Sequence, residues 1–248
     1  MTILHPEFLL VVGMLGLYLY DSLVLLASNE ALLTPAGGGR WSALFGAHGF
    51  QVRGREPCLP NPLLPHRPLY RFSWNAAGAA DPGPPWTPPA GGGTAALAPA
   101  IWIMLLALFV VVPLGFFSSL GVRALVAGIV LFYVCALAAL TMVWRRRDEF
   151  ALGGRRFLAL AFESLTCPPF ALNLVRHLSL GLRPGVDFLA AIDGRLDDAA
   201  RAAALVQVIA RLESEIDWEG EETVRAAALK AHLQVLTREC KACRAPNS

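Results

Sequence analysis

Two long apolar runs without a single charge, residues 98–120 and 124–144, constrain this chain more than any other feature of its sequence. As a helix, each run is long enough to cross the hydrocarbon core of a bilayer, which is about 30 Å thick. Arg123 is the only charge between them, and so short a link joins antiparallel neighbours. The runs therefore predict a transmembrane helical hairpin, and Pro113 and Gly115 predict a kink in its first arm.

The composition of the whole chain agrees with a membrane location. Hydrophobic residues make up 55% of the 248 residues and charged residues 16%, against roughly 45–50% and about 25% in ordinary soluble domains. The excess apolar surface has to meet lipid or other subunits. A typical cytosolic enzyme and a disordered regulator are excluded, and a net charge of +2 is too small to indicate a nucleic-acid partner.

A third apolar run, residues 8–27, predicts another transmembrane helix near the N-terminus. A cleaved signal peptide is the alternative interpretation. Against it, no Lys or Arg precedes the run, Glu7 does, and no small-x-small cleavage site follows. We therefore expect a retained helix and three spans in all.

The distribution of arginines predicts the orientation. Cytoplasmic loops carry an excess of Lys and Arg, so residues 28–97 and 145–248 are expected in the cytoplasm, with the N-terminus and the hairpin tip outside. The predicted location is a bacterial-type cytoplasmic (inner) membrane. Five arginines close behind the third span are candidate contacts for lipid headgroups: Arg145, Arg146, Arg147, Arg155 and Arg156.

The remaining regions are predicted from turn residues and apolar periodicity. Pro168 and Pro169 break the apolar stretch 157–182, which favours short helices at the interface or a re-entrant element. Residues 40–74 favour two or three short strands, and 75–96 a Pro/Gly linker.

Two helices are predicted at the C-terminus. One carries an apolar stripe from Leu205 to Ile216, and the other runs from about Glu221 to Cys240. Because two helices alone bury little, we expect these stripes to need cover from the 157–182 segment or from another protein.

The predicted fold class is thus an all-α integral membrane protein with three transmembrane helices, a Pro/Gly-rich cytoplasmic module with possible short strands, and a C-terminal cytoplasmic helical hairpin. The chain is predicted to divide into an N-terminal transmembrane helix (1–27), the cytoplasmic module with its linker (28–97) and the transmembrane hairpin (98–144). The interfacial or re-entrant helices (145–184) and the C-terminal hairpin (185–248) follow.

Asp21 is the only acidic residue inside a predicted span and is therefore a candidate intramembrane polar site. A charge at the bilayer centre costs about 3 kcal/mol or more, which makes such residues functional candidates. A structural polar contact between helices is the simpler interpretation, and a transport or proton role is the alternative. A second candidate is an interfacial polar cluster of Glu163, Asn173, Arg176 and His177.

No cofactor or metal site is predicted. Cys240 and Cys243 form a lone C-x-x-C pair, whereas a structural zinc site needs four ligands. Five cysteines at irregular spacing indicate reduced thiols. Phosphate-binding, nucleophile-elbow, zinc-protease and dinucleotide motifs are all missing from the sequence.

These features favour a non-enzymatic accessory or scaffold subunit of a membrane protein complex, with the lipid bilayer and other membrane subunits, or further copies of itself, as partners. The alternative is a small oligomeric transporter or channel component that uses Asp21. An interfacial lipid enzyme using Glu163, His177 or His66 is the third hypothesis, and no nucleophile-base pattern supports it.

Overall fold

The computed structural model describes residues 6–75, 86–88, 92–182, 184–219 and 223–244. The chain divides into two compact units, each built from separate stretches of sequence. Unit 1 comprises residues 1–23, 59–68 and 88–182, and unit 2 comprises residues 24–58, 69–87 and 183–248. Most of the predicted 75–96 linker, and Glu221 at the start of the last predicted helix, lie outside the described residues.

Unit 1 contains the predicted hairpin. Its first arm consists of α2 (Gly92–Ala95), α3 (Ala98–Leu106), a π-helical turn (Ala107–Val111) and α4 (Val112–Phe117), and its second arm is α5 (Gly121–Arg145). Two glycines let the arms approach closely. A Cβ at Gly115 would lie 2.7 Å from the Leu125 backbone nitrogen, and one at Gly128 would lie 3.1 Å from the Val112 side chain.

The π-helical turn ends at Val111, two residues before Pro113, where the sequence predicts a kink. Proline has no N–H to donate to the carbonyl four residues earlier, and its ring crowds that carbonyl. Widening the helix by one residue at Ala107–Val111 relieves this conflict, as the Val112 N–H then bonds the Ala107 carbonyl.

Two helices in the described part of the chain are long and apolar enough to cross a membrane: Gly93–Phe117 and Gly121–Arg145. In the most apolar window of each helix, only 33% of the residues are buried within the protein. Large side chains such as Val122, Val130 and Phe117 are exposed instead. A core helix of a soluble protein would be covered by its neighbours on most sides.

The prediction of a third span over residues 8–27 is wrong. The first helix, α1 (Pro6–Ser22), ends at Ser22, and Val24–Leu26 forms strand β1. A short apolar run after a helix has no periodicity that separates continued helix from strand. Here the strand wins because its backbone pairs with the distant residues Glu56–Cys58.

Three short helices complete unit 1: α6 (Gly154–Thr166), α7 (Pro168–Leu172) and α8 (Leu174–Leu180). The break between α6 and α7 falls at Cys167, before Pro168, because a residue preceding proline is pushed out of the helical region. The α7 helix packs on α1 and α3, and α6 packs on α5.

The described residues of unit 2 form two small antiparallel sheets, so the all-α prediction is also wrong. Strand β1 pairs with β4 (Glu56–Cys58), while β2 (Glu30–Gly37) lies between β3 (Arg40–Leu44) and β5 (Tyr70–Ser73). The β2–β3 turn uses Gly38 and Gly39 at positive φ. The central strand β2 lies wholly within residues 28–39, which show no clean alternation because β2 is buried on successive residues.

The C-terminal helices α9 (Phe188–Ile192), α10 (Asp198–Glu219) and α11 (Val224–Arg244) belong to the same unit as these sheets. The predicted stripes are covered within unit 2, since α10 and α11 pack on each other and Leu205, Val208, Leu212, Leu229 and Leu236 are buried. The expectation that these stripes need a partner protein therefore loses its basis.

Candidate functional site

A buried polar network in unit 1 joins the two candidate sites. Asp21 and Ser22 lie in the last turn of α1, Asn173 lies between α7 and α8, and Arg176 and His177 lie on α8. The structure thus brings together residues about 150 positions apart in sequence. The side chain of Asn173 is the link between the two groups.

Asn173 is fully buried, and its amide group bonds in three directions. Its Nδ2 donates to Asp21 Oδ2 at 2.8 Å and to Ser22 Oγ at 3.0 Å. Its Oδ1 accepts from Arg176 Nη1 at 3.2 Å. Since a buried amide without partners is costly, this arrangement fixes the end of α1 against the α7–α8 junction.

Only 3% of the Arg176 surface is exposed, and its guanidinium bonds backbone carbonyl groups. Its Nη2 donates to the Asn61 carbonyl at 2.6 Å and to the Leu64 carbonyl at 3.3 Å, so the guanidinium holds the 59–68 segment in unit 1. In addition, Tyr18 Oη donates to the Pro62 carbonyl. The segment is therefore bonded to both α1 and α8.

Asp21 is the negative charge of the network, and it is partly accessible. His177 Nε2 lies 3.1 Å from Asp21 Oδ2, with side-chain exposures of 25% and 19%. Burial alone would raise the pKa of the Asp21 carboxyl, but His177, the Asn173 amide and the Arg176 charge outweigh it and hold the pKa below that of an ordinary aspartate. The His177 ring stacks on Phe170 with centroids 3.9 Å apart, which fixes its orientation.

The arrangement lacks the geometry of nucleophilic catalysis. A serine nucleophile requires a base within hydrogen-bond reach of its hydroxyl. Within the described residues, the hydroxyl of Ser22 bonds Asn173, while His177 bonds Asp21. The polar side chains of the network instead bond one another, which is typical of a structural network.

Glu163 is not part of this network. Its side chain is exposed on α6, and Arg176 pairs with other groups. The five candidate headgroup arginines lie at the end of α5, in the following turn and at the start of α6. Of these, Arg146 is half-buried and the other four are exposed.

Sequence reasoning missed a second buried cluster, which lies in unit 2. Arg211 Nη2 donates to Glu56 Oε2 at 2.8 Å and to the Gly46 carbonyl at 2.8 Å, with side-chain exposures of 2% for Arg211 and 4% for Glu56. His48 Nδ1 lies 3.5 Å from the other Glu56 oxygen. The only sequence signal was an arginine next to the apolar α10 stripe, one residue before Leu212.

The cysteines of the described residues are free thiols. Burial raises the pKa of the Cys58 thiol to about 11, against an opposing effect of Arg211, so this thiol is protonated at neutral pH. In the described part of the chain, no three His, Cys, Asp or Glu side chains are placed to hold a metal ion.

Comparison with protein-family models, with curated proteins and with solved structures finds no match to this chain.

Proposed function

We propose that this chain is a non-enzymatic accessory or scaffold subunit of a membrane protein complex. Its hairpin is the membrane anchor, and its partners are other membrane subunits or further copies of itself. The observation that carries the proposal is the contrast within unit 1, where polar side chains bond one another while large apolar side chains are left uncovered.

The uncovered apolar surface supports a membrane anchor. It covers both arms of the hairpin and continues on α1 and α6, where Leu17, Leu158 and Phe162 are each more than half exposed. Contiguous apolar surface of this extent is unfavourable in water and favourable in lipid. The polar network lies inside the unit, so lipid would meet almost no charge along α3, α4 and α5.

The tight packing of the hairpin favours a scaffold role and argues against a solute pathway through the hairpin. Gly115 and Gly128 close the space between the two arms, and a pathway through one copy would need polar groups lining that space. We further propose that the hairpin tip, Ser118 to Gly121, faces outward, and that Arg145, Arg146 and Arg147 face the cytoplasm of a bacterial-type cell.

Purification from membranes in mild detergent tests the scaffold proposal. The chain should elute in a complex of fixed stoichiometry, with another membrane subunit or with itself. The isosteric variant Asp21→Asn should leave the complex intact, since it keeps the shape of the network. A stable monomer, neither self-associated nor bound to other proteins, would contradict the proposal.

One observation favours a second candidate, a transporter or channel component. Asp21 and His177 form a carboxylate–imidazole pair that keeps partial exposure, and such pairs serve as proton carriers in membrane proteins. In proteoliposomes, Asp21→Asn should then abolish proton- or ion-coupled flux while the protein stays folded. Flux equal in the variant and the wild type would remove this candidate.

A further inference from the structure

The outer face of unit 1 carries an apolar groove between α5 and α6 with a volume of about 480 Å³. Leu137 and Leu140 line one wall, and Ala161 and Leu165 line the other. Thr141 also faces the groove, but its hydroxyl donates to the Leu137 carbonyl of its own helix at 2.8 Å. The groove therefore offers a long apolar surface with its polar atom already satisfied.

Aromatic rings close one end of this groove. The Trp144 and Phe157 rings both line it, with centroids 4.8 Å apart. The Arg147 guanidinium lies 4.5 Å above the Trp144 ring. Because Trp144 is the penultimate residue of α5 and Phe157 lies in the first turn of α6, this end of the groove is where the arginines are concentrated.

Two further arginines lie on the same helices near this end. Arg145 follows Thr141 by four residues on α5, and Arg155 precedes Leu158 by three on α6, so each shares a helix face with a groove residue. In contrast, the Arg156 guanidinium lies against Gly181, away from the groove.

The charge at this end is not neutralised by the protein. Residues 145–156 contain five arginines against Asp148 and Glu149, a net charge of +3. The two carboxylates lie beside other arginines: Asp148 is 3.9 Å from Arg147, and Glu149 is 4.0 Å from Arg146. Neither Arg145 nor Arg155 has an acidic partner among the described residues.

We propose that this groove binds an acyl chain of one anionic phospholipid, whose headgroup phosphate is held by Arg145 and Arg155. An acyl chain fits the apolar walls, and a phosphate matches the uncompensated charge at the aromatic end. The inference rests on the membrane placement proposed above. It goes further in naming a specific lipid class and a specific site, where a general headgroup attraction would need only surface charge.

Brominated lipids test the site, because bromine on an acyl chain quenches a tryptophan that it touches. The full chain is reconstituted in phosphatidylcholine vesicles that contain a minor fraction of brominated lipid, either phosphatidylglycerol or phosphatidylcholine. Trp144 should be quenched more strongly by the brominated phosphatidylglycerol. The variant Trp144→Phe should remove this difference, which assigns the signal to the groove.

The arginines and the groove are then tested separately. Each arginine near an anionic surface contributes roughly a fivefold gain in affinity, so Arg145→Gln with Arg155→Gln should weaken enrichment of phosphatidylglycerol by about 30-fold. Arg123→Gln, at the opposite end of α5, is the control and should retain it. Ala161→Phe fills the groove without changing the charge and should also abolish the enrichment.

Equal quenching by the two brominated lipids in the wild type would overturn the proposal, as would enrichment that survives in the double arginine variant or in Ala161→Phe. Failure of the underlying membrane placement looks different. In that case vesicles made entirely of brominated phosphatidylcholine would leave the tryptophan fluorescence unchanged.

Discussion

Replacing Asn173 by Leu should detach α1 from the α7–α8 junction. Leucine has the same number and branching of side-chain heavy atoms, so the main change is the loss of hydrogen bonds. The Ser22 hydroxyl and Arg176 Nη1 are both buried and lose a partner, whereas Asp21 keeps His177 and partial access to solvent. Each orphaned buried group costs about 1–3 kcal/mol, which gives about 2–6 kcal/mol in total.

Thermal unfolding of the detergent-solubilised chain measures this loss. In a chain of this size, 1 kcal/mol lowers the Tm by about 2–4 °C, so a loss of about 4 kcal/mol corresponds to roughly 8–16 °C. Ser22→Ala removes one hydroxyl and should cost less, about 1–2 kcal/mol. The control Thr141→Val removes an exposed hydroxyl that bonds its own helix, and it should change stability by less than about 0.5 kcal/mol.

Hydrogen exchange locates the effect of Asn173→Leu. Exchange should increase in α1 and in the 59–68 segment, while the strands of unit 2 keep their protection. If Asn173→Leu unfolds within about 0.5 kcal/mol of the wild type, or if exchange rises equally in both units, the polar network does not hold α1 in place and our interpretation of the site is refuted.

Three further predictions concern other parts of the chain. Glu56→Gln leaves the Arg211 cation buried without its counter-ion and should lower the free energy of unfolding by about 3–5 kcal/mol, measured by chemical unfolding. Replacing both residues by apolar ones of similar size should restore most of that stability. Equal losses in the single and double variants would contradict the pairing. Gly115→Leu forces a side chain against the Leu125 backbone and should separate the hairpin arms. The separation is measured as a loss of crosslinking between cysteines placed on the two arms. Unchanged crosslinking would show that the hairpin forms without this close approach. The Asp21 pKa is lowered in the folded state, so the ionised carboxylate stabilises the fold above the unfolded pKa of about 4, and this stabilisation is lost as the pH falls below that value. The difference in stability between the wild type and Asp21→Asn should therefore shrink between neutral pH and a pH below about 4. A difference that is independent of pH would argue against an ionised Asp21.

The hairpin could be predicted from sequence because its signal is local. Each arm is a charge-free apolar run, and the prolines that distort the helices act on their immediate neighbours. The break before Pro168 falls where the sequence indicated, and a π-helical turn lies close to Pro113.

The end of α1 and the sheets of unit 2 could not be predicted in this way. Residues 24–26 are as apolar as the helix before them, and only their pairing with Glu56–Cys58 makes them a strand. Strand pairing depends on partners that are remote in sequence, so no local pattern reveals it. The β2 strand was unexpected because its buried residues are successive and do not alternate with exposed ones, and because one of its partners, β5, is remote in sequence.

The candidate site was predicted as separate pieces. Asp21 stood out as a charge in an apolar run, and Asn173, Arg176 and His177 stood out around a Pro-Pro break, but nothing in the sequence connected them. Glu163 was included by proximity in sequence and lies exposed instead. The Glu56–Arg211 pair joins residues 155 positions apart and had no counterpart among the predicted sites.

Thiol labelling of intact cells most directly tests whether the hairpin crosses the membrane. In a background in which the five native cysteines are replaced by alanine, single cysteines are placed at the exposed positions Ser119, at the tip, and Asp148, after the second arm. A membrane-impermeant maleimide should label Ser119→Cys in intact cells and Asp148→Cys only after permeabilisation. Labelling of both positions in intact cells, or recovery of the chain in the soluble fraction, would contradict a hairpin that crosses the membrane. Labelling of Asp148→Cys alone would contradict the placement of its arginine-rich end in the cytoplasm.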